Sequence, residues 1–183
     1  MSDESVPVLF SPFPSMNTSA MWYGPQGNND KDDAFIKLWN YTIDKIKAEG
    51  LKNIIWVYAP RAGRASERIT ATWGYPGINS VDVVAPIAFS DEVNINNFDD
   101  YKKLDKPLGM TRLSPISGTG EFDNTIYAAE WEDQYGYLAY WIADHDDANK
   151  KHSLYGNKKY SELFKNSKIA TTETIKNKEW LKQ

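Results

Sequence analysis

A chain of 183 residues with 41% hydrophobic and 25% charged side chains has the make-up of one globular domain with its own core. A formal net charge of -4 excludes the general cationic surface that nucleic-acid binding by phosphate neutralisation requires, and zero cysteines exclude disulfides, thiolate zinc sites and cysteine nucleophiles together. Two histidines, His145 and His152, leave little for a histidine-based metal centre, no cofactor is expected, and no run approaches the ~18 consecutive apolar residues of a membrane span.

The opening MSDESVPVLF is acidic and then strand-like, with no basic start followed by an apolar run of signal-peptide length. The expectation is a chain without an export signal of its own, in the cytoplasm or in a larger particle. Pro7 to Phe13 is a short apolar run bounded by prolines, which suits a strand whose ends cannot continue. After the loop GPQGNNDKDD, Ala34 to Glu49 place Phe35, Leu38, Trp39, Thr42, Ile43 and Ile46 on one face at helical spacing, with Gly50 as the stop. NIIWVYAP, Asn53 to Pro60, is continuous and apolar, as a parallel strand covered on both faces should be. A long loop, RAGRASERITATWGYPGINS, leads to a second buried strand over Val81 to Phe89. NINNFDDYKKLD predicts a short helix, Lys106 to Pro115 a third buried strand and DNTIYAAEWEDQY a helix. Gly136 to Asp144 predicts a last strand, and NKKYSELFKN a terminal helix. Alternation of this kind predicts an α/β fold with a parallel sheet and right-handed crossovers, its site at the C-terminal strand ends. No Gly-rich phosphate loop follows the first strand, which argues against a nucleotide-binding doubly wound fold.

Aromatic content is high, with 7 Trp and 11 Tyr, residues that fill cores and also stack on sugar rings while their polar edges stay wet. The stretch SPFPSMNTSAMWYG, Ser11 to Gly24, carries a more specific signal. It resembles the acid/base motif of glycoside hydrolase family 26, the β-mannanase family, which reads Arg-Pro-x-His-Glu-Met-Asn-Gly-x-Trp-Phe-Trp-Trp-Gly. The two align without gaps: Pro12, Met16, Asn17, Trp22 and Gly24 match, and Tyr23 stands for a tryptophan. LWNY, NIIWVYAP, GYPG followed by VDVVAP, KP opening the next strand, and YLAYW resemble the family in the same order. The resemblance implies a (β/α) TIM-type barrel. A complete eight-unit barrel takes ~250 residues, and the family motif follows its fourth strand. The expectation for residues 1–183 is therefore a single truncated domain of about five strand–helix units, the C-terminal part of the barrel. Its open sheet edges would be covered by another chain, most simply a second copy.

Two departures bear on chemistry. The family's histidine and glutamate correspond here to Pro14 and Ser15, and the position of the nucleophilic glutamate after the KP strand holds Arg112. The tyrosine that helps hold that nucleophile corresponds to Phe89. Retaining hydrolysis needs two carboxyl groups ~5–5.5 Å apart, one to protonate the leaving oxygen and one to attack the sugar carbon. A serine hydroxyl cannot protonate a leaving group at neutral pH. A guanidinium ~5 Å from developing oxocarbenium charge, at an effective dielectric of ~20, opposes it by about 3 kcal/mol, roughly a hundredfold in rate.

The resemblance assigns sugar contact to Asn17, Trp22, Tyr23 and Trp141; the competing reading is inherited packing. Trp73 and Tyr75 in TWGYPG either add a platform at the rim or cover the core. Arg61, Arg64 and Arg68, with Arg112, either converge as an anion site or form a solvated loop partly neutralised by Glu67. DHDDANKKH brings Asp144 and Asp146 beside both histidines, and Asp91 and Glu92 follow the second buried strand; helix caps and turns use such residues equally. No metal-ligand spacing is present. Three functions are open at this point. One is an inactive relative that binds β-mannan or another oligosaccharide, or serves in assembly. Another is a structural component joined through its sheet edges. The third is an active β-mannanase-type hydrolase completed by a partner chain or by Asp144 or Asp146.

Overall fold

The computed structural model describes residues 6–66, 68–90, 95–114, 123–126, 156–167 and 169. They fall into two compact units, one holding the described residues up to 88 and those from 95 to 113, the other holding 89–90, 114 and the described residues from 123 onward.

The first unit is built on short parallel strands. Strand β1 (Val8–Phe10) runs beside β2 (Ile54–Tyr58), with Val8 opposite Ile54 and Phe10 opposite Trp56, and β2 runs beside β3 (Val83–Val84), with Val57 opposite Val83. Val57, Tyr58 and Val84 are completely buried, as the continuous apolar run of β2 requires of a strand covered on both faces. A further parallel bridge joins Val84 to Leu108, so the KP segment lies beside β3 in the expected order.

The predicted strand over Val81 to Phe89 is present in two pieces, β3 and β4 (Ile87–Phe89), because Pro86 between them has no N–H to give the ladder. The chain nevertheless keeps its course past the break: Ala85 N donates to Tyr58 O at 2.8 Å and Ile87 N to Pro60 O at 2.8 Å. Strand β5 (Arg112–Ser114) is likewise only the end of the predicted Lys106 to Pro115 segment, and β4 and β5 form a two-stranded sheet.

Helix α1 (Asp33–Ala48) follows the predicted periodicity. Phe35, Trp39 and Ile43, one per turn, are buried, Leu38, Thr42 and Ile46 flank them half-buried, and Gly50 follows with φ +82°, a left-handed stop that glycine takes without steric cost. Trp39 anchors the helix: its ring is fully buried beside Phe35 and Tyr58, and its Nε1 donates to Ser80 O at 3.0 Å. Gly74, at φ +74°, leaves room for the same helix, since a Cβ there would stand 2.6 Å from Phe35 Cδ1. Helix α2 (Phe98–Lys102) is shorter than predicted and buries Tyr101.

In the second unit, helix α3 (Tyr160–Lys165) buries Leu163, and the turn before it is tied to Asn124, whose Nδ2 donates to Lys158 O at 2.9 Å. An ion pair joins Lys159 to Asp123. Thr125 and Ile126 begin the helix predicted from DNTIYAAEWEDQY; its remainder and the predicted strand from Gly136 to Asp144 lie outside the described residues. No helix among the described residues is long and apolar enough to cross a membrane.

Candidate functional site

Two loops at the C-terminal ends of β1 and β2 build the site. The chain leaves β1 through Ser11 to Pro14 and reaches Ser15 at φ 59°, in the left-handed region. That conformation costs a non-glycine residue of order 1–3 kcal/mol and persists only where surrounding contacts impose it. Ser15 N donates to Ala59 O at 2.8 Å, and the next side chain, Met16, is completely buried.

Asn17 completes the anchorage. Its Nδ2 donates to Arg61 O at 3.0 Å, and Arg61 N donates to its Oδ1 at 2.7 Å. With the residue only 2% exposed, this reciprocal pair fixes the loop after β1 to the end of β2. A carboxylate here would lose the donor half of the pair, and an apolar side chain would leave both backbone groups of Arg61 without these bonds.

Between the two loops lies a cavity of about 430 Å³, lined on one side by Ser15, Asn17 and Thr18 and on the other by Arg61, Arg64 and Ser66. Ser19, Ala20, Met21 and Ile69 also line it. Its volume falls in the ~300–1,000 Å³ range of small-molecule sites. Among the described residues that line it, none is a carboxylate. Burial, the Arg64 charge and the Arg112 charge, in that order, pull the Arg61 guanidinium below its ordinary value, and burial does the same to Arg112. Arg68 is engaged elsewhere, 3.5 Å from Asp30, and is not part of the cavity wall.

The aromatic residues separate into two kinds. Trp22 is 76% exposed, its ring held edge-on by Tyr23 at 5.4 Å. Tyr23 packs on Phe13 at 5.3 Å and donates its hydroxyl to Pro14 O at 2.7 Å, and burial pushes that phenol above its ordinary value. Trp73 is a core residue, 4% exposed, with Nε1 donating to Asp30 O at 3.0 Å and its ring 5.4 Å from Phe35. The Tyr75 ring lies 5.3 Å from that of the buried Tyr58, and its hydroxyl has no hydrogen-bond partner among the described residues. None of these four lines the cavity. Phe89 ends β4, half-buried. Trp141, Asp91, Glu92, Glu67 and the segment with Asp144, Asp146, His145 and His152 lie outside the described residues. No group of three or more acidic or histidine side chains placed to hold a metal ion occurs among the described residues.

The sequence reading singled out Ser15, Asn17, Arg61 and Arg64, and the cavity brings these together. It did not single out the hydroxyls of Thr18, Ser19 and Ser66. Their signal was the density of small polar residues in NTSA and RAS, directly after the two strands that carry the loops.

A model of the Glycosyl hydrolase family 26 matches residues 1–173. The chain belongs to this family. It is 33% identical over 153 residues to a mannan endo-1,4-beta-mannosidase of Bacillus subtilis, an alignment that takes in 80% of this chain and 41% of that protein. Among solved structures, a Bacillus subtilis mannanase superposes with a TM-score of 0.73 at 33% identity, covering 90% of this chain and 48% of the other. A family 26 β-mannanase from Bacteroides ovatus shares the fold at 20% identity, with a TM-score of 0.56 over 81% of this chain and 45% of that one. The chain thus spans less than half the length of these family 26 relatives.

Proposed function

We propose that this family 26 chain binds a β-mannan-type oligosaccharide in the cleft at its strand ends and does not hydrolyse it. The supporting observation is the composition of the cavity. Ser15, at the position that resembles the family's proton donor, lies in the wall; Arg112, at the position that resembles the nucleophile, acts electrostatically on Arg61 of the same wall. A hydroxyl and a cation offer neither the proton nor the attacking oxygen that retaining hydrolysis uses. What remains suits recognition: hydroxyls and guanidiniums that exchange hydrogen bonds with sugar hydroxyls, and beyond Met21 the open indole of Trp22 as a stacking face.

The substrate class comes from the relatives, which are mannan endo-mannosidases by name. In the same reading the chain supplies about five strand–helix units of the C-terminal part of a (β/α)8 barrel, and a second copy or a partner chain covers the edge of β1. Sedimentation or light scattering that gives a lone monomer would count against that last element.

Function is tested by incubating the protein with β-mannan and measuring reducing ends, alongside a tryptophan-fluorescence titration with mannotetraose. The expected result is a saturable fluorescence change and no reducing-end release. Release that disappears in Asp144→Ala or Asp146→Ala would instead make the chain a hydrolase with a recruited carboxylate.

A further inference from the structure

Trp22 is 76% exposed, yet the segment that carries it is braced on both sides. Among the described residues its one ring contact is with Tyr23, edge-on at 5.4 Å and 79°. Tyr23 in turn reaches the core, its ring 5.3 Å from Phe13 and 6.2 Å from the buried Phe35, and its hydroxyl donates to Pro14 O at 2.7 Å. Pro14 directly precedes Ser15 of the cavity wall, so one side chain ties the exposed indole to that wall. After Trp22 the chain turns back through a 3-10 turn, Pro25–Asn28, where Asn28 Nδ2 donates both to Tyr23 O at 3.2 Å and to Gly24 O at 2.9 Å. Gly27 lets this turn pass close to the Trp22 backbone: a Cβ there would stand 2.5 Å from Trp22 O.

An exposed indole with nothing against it moves between rotamers, and a ligand that stacks on it must stop that motion at a cost in affinity; a ring already held avoids the cost. The bond from Tyr23 to Pro14 is exposed, where a hydrogen bond replaces one to water at small net gain, so its consequence is for position more than for stability. We propose that Tyr23 and Asn28 are positioning residues for saccharide stacking. Tyr23 holds the Trp22 ring through its own ring and its hydroxyl, Asn28 holds the backbone that follows, and the indole is presented ready-made beside the cleft. The inference rests on the saccharide-binding reading above. It adds that two residues off the cavity wall set the affinity of that site.

The test is a double-mutant cycle on the full chain, with mannotetraose affinity read by calorimetry and stability by the urea midpoint. Tyr23→Phe keeps the ring and removes the hydroxyl; Asn28→Ala removes the amide. Each is expected to weaken mannotetraose binding about threefold, no more than Trp22→Ala does, while moving the urea midpoint little. In the Trp22→Ala background both are expected to leave the affinity where Trp22→Ala put it, a coupling that a general loosening of the fold would not produce. Wild-type affinity in both variants would overturn this inference alone, as would a loss that persists at full size in the Trp22→Ala background. A wild-type chain that does not bind mannotetraose would overturn the saccharide-binding reading and this inference with it. If one variant does not fold, the cycle through the other decides.

Discussion

The aromatic cluster under α1 and the cavity wall above β1 and β2 are neighbours in sequence but differ in kind. Phe35, Trp39, Trp73 and Tyr58 meet ring to ring at 5.4 to 6.3 Å, and three of their polar atoms donate inward: Trp39 to Ser80, Trp73 to Asp30 and Tyr58 to Trp73. The wall is small side chains and guanidiniums, held by one amide and one strained serine. Aromatic content in a chain of this family is therefore weak evidence for sugar stacking: most of these rings, including one from the TWGYPG turn, hold the domain together. Among the described residues Trp22 is the most exposed of the large apolar and aromatic side chains, and its face is open.

Four substitutions sharpen the contrast. Trp39→Ala strikes the cluster and is expected to destabilise the first unit most, by about 3–5 kcal/mol, read as a lowered urea midpoint. Asn17→Ala strikes the joint between the wall's two loops. It leaves two backbone groups of Arg61 without their partners and should cost about 1–3 kcal/mol in the same measurement. Trp22→Ala should do the reverse of Trp39→Ala: a stability change within about 0.5 kcal/mol, with saccharide affinity reduced by a factor that a stacking contact of about 1 kcal/mol implies. An equal loss of stability in both tryptophan variants would erase the distinction drawn here. Ser15→Gly is the smallest: relief of the left-handed strain should stabilise the protein, offset in part by the added freedom of glycine in the unfolded chain, for a net change below about 1 kcal/mol.

Much of the scaffold was legible in the sequence because its signals are local. The helical spacing of Phe35, Trp39 and Ile43 with Gly50 behind them specified α1, and the continuous run of β2 specified a buried strand. Strand lengths were less legible, since apolar content does not reveal where a ladder stops. Pro86 splits one predicted strand, and β5 keeps only the last residues of another. The site was legible by residue type and not by arrangement. That Arg61 joins the wall while Arg68 turns to Asp30 depends on contacts between distant segments, as does the pairing of Asn17 with Arg61 across 44 positions. The left-handed turn at Ser15 had no local signal, because serine is not a residue that favours positive φ.

The grip of Asn17 on Arg61 separates two histories that a motif would run together. An amide whose visible bonds both face the protein is useful to the scaffold whatever stands two residues before it, so replacing a proton donor at position 15 removes no reason to keep asparagine at 17. If the chain is the non-hydrolytic binder proposed above, the part of the motif that signals kinship outlives the part that performs a reaction, and the reason lies in where an amide directs its hydrogen bonds.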